Sequence, residues 1–150
     1  MQLRLVTLVL LAGTAVACSN ASPPPAPPRS TVWTALLINH ARLMDTDCCD
    51  YEYDYSLRAT CSTMVNSMLD GLEPDLATLP ADKDRADLER AIADWRSQFD
   101  TFSRNGCFVH ETAPECASGT TRLELRHDVV KRQIEDRADT EQRMLRTSTR

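Results

Sequence analysis

The sequence predicts an all-α fold: a small antiparallel four-helix bundle, stapled by disulfides at one end. Three observations predict it. Apolar residues recur at steps of three or four in four separate segments, the spacing that lines one face of a helix. No segment alternates apolar and polar residues over a useful length, as a half-buried strand would. With 4 Gly and 5% aromatic residues, the chain also lacks the turn and strand formers that a sandwich or barrel requires.

The first helix opens near Ser30 or Thr31, either of which can cap it, and repeats Trp33, Leu37, Met44 and Cys48, with His40 in the same stripe. The second follows Ser56 and carries Leu57, Cys61, Met64, Met68 and Leu72; Gly71, ahead of Pro74, is its expected stop. The third begins around Pro80, places Asp82 and Asp84 in its first turn where the helix dipole favours them, and repeats Leu88, Ile92, Trp95, Phe99 and Phe102 up to Asn105-Gly106. The fourth is expected to start with a capping box of Thr121 and Glu124. Its stripe is Leu123, His127, Val130, Ile134, Ala138 and Leu145, on a helix that is otherwise dense in charge. Short connections of about 8 to 14 residues favour antiparallel neighbours, hence an up-down-up-down order. The alternative is a helical hairpin pair that completes its core by dimerising. No internal repeat is present, and the domain occupies residues 30–150.

Residues 1–17 have the form of an export signal. Arg4 is the only charge before Arg29, and Leu5 to Val16 is almost wholly apolar. A membrane-spanning helix needs about 20 apolar residues, and this run has roughly a dozen. The following Ala15-Val16-Ala17-Cys18 resembles the bacterial lipobox, in which small residues precede a cysteine that takes a diacylglycerol on its sulfur. The likeness covers these few residues and departs from the usual pattern at Ala15, where Leu is common. It implies cleavage before Cys18, lipidation of Cys18 and a membrane contact through that lipid; the alternative is a secreted or periplasmic soluble protein. Residues 18–29, with Pro23-Pro24-Pro25 and Pro27-Pro28, bury nothing and form a stiff tether at about 3.1 Å per residue.

Export puts the 6 cysteines in an oxidising compartment, where disulfides outnumber catalytic and metal-binding thiols. In an alternating bundle Cys48, Cys49, Cys61, Cys107 and Cys116 all fall at the pole away from the tether. The expected bridges are Cys107 with Cys116, closing the loop between the third and fourth helices, and Cys61 with either Cys48 or Cys49. One thiol of the adjacent pair is then left over, a candidate for redox or partner-linking chemistry. No C-x-x-C occurs to support a thioredoxin-like role.

The same pole carries an acidic run, Asp50-Tyr51-Glu52-Tyr53-Asp54-Tyr55, holding all 3 tyrosines. It lacks the Gly and Glu that an EF-hand loop places at its sixth and twelfth positions, and its mixture of tyrosine and carboxylate suits a protein contact. His40 and His127 sit within apolar stripes about equally far from that pole, and if they share a layer they could hold copper, zinc or haem, with Cys61 or Met64 nearby. A single Glu-x-x-His, Glu124 with His127, is short of a di-iron set. No nucleophile elbow, phosphate loop, haem-attachment motif or H-E-x-x-H is present, and no cofactor is called for. The formal charge of -5 without a basic stripe disfavours nucleic acid. The expected function is that of a non-enzymatic envelope lipoprotein, a protein-interaction module of inhibitor or immunity type, with an unknown envelope protein as partner. The alternatives are a metal- or haem-binding bundle and a thiol-active envelope protein.

Overall fold

A computed structural model describes residues 31–48, 55–110 and 113–148. Among them five helices follow in order: α1 (Val32–Asn39), α2 (Ala41–Asp45), α3 (Tyr55–Leu76), α4 (Lys83–Arg104) and α5 (Pro114–Ser148). The described residues contain no strand. α1 and α2 form one rod with a break at His40, whose backbone leaves the helical region at φ -112°, ψ 27°.

The rods alternate in direction, and the long-range contacts fix the order. His40 meets Asp75 while Cys48 meets Cys61, so the first rod runs against α3. Arg96 on α4 reaches Asp70 and Glu73 on α3. Arg137 on α5 pairs with Asp84 near the start of α4, and Arg126 Nε donates to the Asp94 carbonyl. Trp33 lies beside Glu141 and Leu43 beside His127, which closes the ring between α1 and α5. The result is an up-down-up-down four-helix bundle. Its core takes one face of each rod: Leu36, Leu43, Leu69, Leu72, Leu88, Trp95, Phe102, Leu123, Val130 and Ile134 are all buried, but on α3 the buried face runs through Val65 and Leu69, and Leu57 and Met64 of the expected stripe are 46% and 38% exposed. α5 buries Leu123, His127, Val130, Ile134 and Ala138 of its stripe within the same chain, while Leu145 is 37% exposed, so the four-helix core closes within one chain.

Three boundaries differ from expectation. α3 does not stop at Gly71 but continues through Pro74 to Leu76. A mid-helix Gly costs about 1 kcal/mol and an interior Pro about 3. Yet Leu72 and Leu76 are buried at 0% and 6% exposure, each contributing about 1.5–3 kcal/mol, and Pro74 lies within the last turn on the exposed side. Packing therefore outweighs propensity here. α5 starts at Pro114, seven residues before the expected cap; Pro at the first helical position followed by acidic Glu115 is itself a start signal. Thr121 is consequently mid-helix, and Glu124, instead of capping, accepts a two-pronged bond from Arg58 of α3 at 2.7 and 2.8 Å. At α4, Asp82 is the cap rather than a first-turn residue, accepting from the Asp84 and Arg85 amides.

The start of α1 shows a further departure. Thr31 makes no side-chain cap bond there. Its place is taken from 108 residues away: Glu141 of α5, buried at 7% exposure, accepts from Trp33 N at 3.0 Å and Thr34 N at 2.8 Å, and from the Thr34 hydroxyl. A carboxylate at a helix N-terminus satisfies amides that have no partner within the helix and meets the positive end of the dipole.

Candidate interaction surface at the disulfide pole

The alternating order brings the end of the first rod, the start of α3, the end of α4 and the start of α5 to one pole. Two disulfides lie there. Cys48–Cys61 ties the first rod to α3 across a Cα separation of 5.7 Å, and Cys107–Cys116 closes the turn between α4 and α5 at 5.2 Å. All four cysteines are at most 5% exposed. In the chain-entropy account each closed loop of this length is worth about 3 kcal/mol.

Between the bridges sits an aromatic cluster. Tyr55 stacks on Phe102 with ring centroids 6.4 Å apart, Phe102 meets Phe108 edge-on at 5.0 Å, and Phe99 bridges Trp95 and Phe108 at 5.1 and 5.5 Å. Such pairs add about 0.5–1.5 kcal/mol beyond their buried area. The Tyr55 hydroxyl donates to the Cys107 carbonyl, joining the start of α3 to the second bridge. The turn itself depends on Gly106, whose φ of +70° is costly for a residue with a Cβ. The same turn brings His110 against Gly106 and leaves Val109 79% and Phe108 37% exposed. An apolar knuckle is thus held outward on a doubly braced base.

Asp45, Asp47, Asp100 and Glu115 are exposed on the elements that meet at this pole, with Arg104 and Arg122 exposed as well and Lys131 donating to the Thr46 carbonyl. Of the acidic run named from the sequence, Tyr55 is the first residue of α3; Asp50, Tyr51, Glu52, Tyr53 and Asp54 lie outside the described residues, as do Cys18 and Cys49. The knuckle was not singled out by sequence pattern. Phe108-Val109 in a loop between two cysteines and after Asn105-Gly106 is the signal that could have found it.

The two histidines have separate partners. His40 Nε2 lies 2.9 Å from the Asp75 carboxylate. His127, 4% exposed, donates from Nε2 to the Leu43 carbonyl at 3.2 Å. Burial above all, with nearby Lys131, depresses its basicity below the ordinary histidine value of 6.5, against the opposing pull of the Leu43 bond. Cys61, the soft ligand expected beside them, is committed to a disulfide, and Met64 is exposed on the outer face of α3. Among the described residues no group of three or more His, Cys, Asp or Glu is placed to hold a metal ion.

No described helix is long and apolar enough to cross a membrane. Comparison with protein-family models, with curated proteins and with solved structures found no match to the chain.

Proposed function

We propose that the protein is a non-enzymatic envelope lipoprotein, held to a membrane through Cys18, that offers its disulfide pole to a protein partner. The observation that carries this reading is the exposed Phe108-Val109 knuckle fixed by Gly106, Tyr55 and the Cys107–Cys116 bridge. Large apolar side chains on a braced loop cost little entropy on binding and make effective anchors. The acidic run of Asp50, Glu52 and Asp54 that precedes Tyr55 in the sequence suits a basic partner, as an inhibitor or immunity-type protein would require.

The test is cross-linking and affinity recovery from solubilised envelopes, comparing the native protein with Val109→Asp and with a triple reversal of Asp50, Glu52 and Asp54 to Lys. One partner band lost in both variants, with the helical spectrum unchanged, supports the reading. Recovery that neither change alters would remove the pole from consideration. The anchor has its own measurement, since the intact mass of cell-derived protein reports an acyl group on Cys18 directly.

A further inference from the structure

Trp95 is 1% exposed, and its indole Nε1 meets no hydrogen-bond partner among the described residues. An indole N–H can only donate, and a donor sealed in the core without an acceptor is costly. Buried tryptophans ordinarily find a partner for this group.

Trp95 of α4 lines a small internal cavity together with Ser62 of α3 and Glu124 and His127 of α5, and Cys48 of the first bridge forms part of the wall. The cavity leaves about 10 Å³ for the centre of a water molecule. One water needs roughly 10–15 Å³ by that measure and 2–4 polar partners. The polar atoms of this wall meet the second condition. Ser62 Oγ donates to the Arg58 carbonyl at 3.1 Å, which leaves its lone pairs free to accept. Glu124 Oε1 accepts from both Arg58 Nε and Nη2, whereas Oε2 accepts from Nη2 alone and keeps a further site. His127 donates from Nε2 to the Leu43 carbonyl, so Nδ1 of the neutral ring is an acceptor. The described wall thus offers one donor, on Trp95, and three acceptors.

We propose that this cavity is the binding site of one water molecule, which accepts from Trp95 Nε1 and donates to two of the three acceptors on Ser62, Glu124 and His127. Water satisfies both kinds of partner at once. A cation would meet the indole N–H, and an anion would lie against the Glu124 carboxylate. The held water joins α3, α4 and α5 at one point, and the first rod closes on the same layer through Cys48 and the Leu43 carbonyl. Its bonds are directional where the surrounding core is packed by apolar contact, so they set the orientation of the Trp95 ring. That ring stacks on Phe99, and Phe99 in turn meets Phe108. The water therefore steadies the base on which the aromatic cluster stands. The site rests on neither the proposed anchor nor the proposed partner.

The test is made on the oxidised protein, in solution and in crystals. Nuclear Overhauser and rotating-frame experiments are expected to show a water cross-peak at the Trp95 Hε1 resonance, with the sign of a long-lived bound water rather than of chemical exchange. A high-resolution crystal structure is expected to show one density peak within hydrogen-bond distance of Nε1 and of two of the three acceptors. Ser62→Val puts methyl groups in place of the hydroxyl and fills the cavity. In that variant the cross-peak should disappear and the Hε1 resonance move upfield, with the helical circular dichroism spectrum kept. The two measurements on the unsubstituted protein decide the matter even if the variant fails to fold. A Trp95 Hε1 without a water cross-peak, or an indole that donates to a protein oxygen in the crystal, would overturn the proposal. So would a density peak that scatters anomalously in crystals grown with bromide or rubidium, or a cross-peak that persists in helical Ser62→Val.

Discussion

Two buried polar side chains act on the bundle in different ways. Glu141 closes the start of α1 by accepting from two amides and a hydroxyl. Glu141→Ala leaves those buried donors without an acceptor, and a loss of about 1–3 kcal/mol is expected. Glu141→Gln keeps one acceptor and should lose less, an ordering that urea unfolding of the three proteins checks. His127 is needed neutral. Its basicity is lowered in the folded state by burial, so the unfolded chain binds the proton more readily than the folded one. Its contribution to stability is therefore complete above pH 6.5 and declines as pH falls below that value toward the folded one. Groups facing it do not all act in one direction: Lys131 adds to the depression, while Asp128 and Asp47 oppose it. The fall in unfolding midpoint between pH 7 and pH 5 should be smaller in His127→Gln; an unchanged slope would assign the acid sensitivity to other groups. The burial of His127 follows from its place in the apolar stripe of the fourth helix, whereas the role of Glu141 was not legible in the sequence. Glu141 belongs to a charged face by pattern, and only the 108-residue contact makes it a cap.

The helices themselves were readable wherever apolar spacing was strong, and their ends were readable only where the terminal signal outweighed nearby packing. Trp95, Phe99 and Phe102 announce α4, and Asn105-Gly106 ends it as read. Gly71 and Pro74 are ordinary stop signals overruled by the burial of Leu72 and Leu76. Thr121 and Glu124 match a capping box, but Pro114-Glu115 begins α5 a full two turns earlier and turns Glu124 toward Arg58. Two glycines separate the cases experimentally. A Cβ at Gly71 meets nothing within 4 Å, so Gly71→Ala should stabilise by up to about 1 kcal/mol through helix propensity. A Cβ at Gly119 would lie 2.7 Å from a ring carbon of Phe102, where the aromatic cluster leaves no room to retreat. Gly119→Ala should cost about 1–3 kcal/mol by overpacking. Thermal unfolding of the two single variants tests the pair, and movement of both in one direction would contradict the packing described for α5 on α4.

At the scale of the whole molecule the bundle has one end braced by covalent bonds and the other by a buried carboxylate, which makes the response to reduction informative. The cysteine pairs were readable because an alternating bundle puts the ends of these helices at one pole; Cys48 and Cys49 differ by a single residue, and only the placed chain chooses Cys48. Each bridge is worth about 3 kcal/mol against a total stability of about 5–15 for a domain of this size. Removing both should bring the protein close to unfolding, whereas removing one should not. The two single removals also differ in kind. Cys48–Cys61 fastens the rod of α1 and α2 to α3, so Cys48→Ala/Cys61→Ala should lower the melting temperature with the knuckle still in place. Cys107–Cys116 holds the knuckle directly, and Cys107→Ala/Cys116→Ala should leave a helical protein in which amide exchange of Phe108 and Val109 rises sharply. If the knuckle is the anchor for a partner, affinity follows that local protection rather than the melting temperature, and the two double variants reverse their rank between the two measurements.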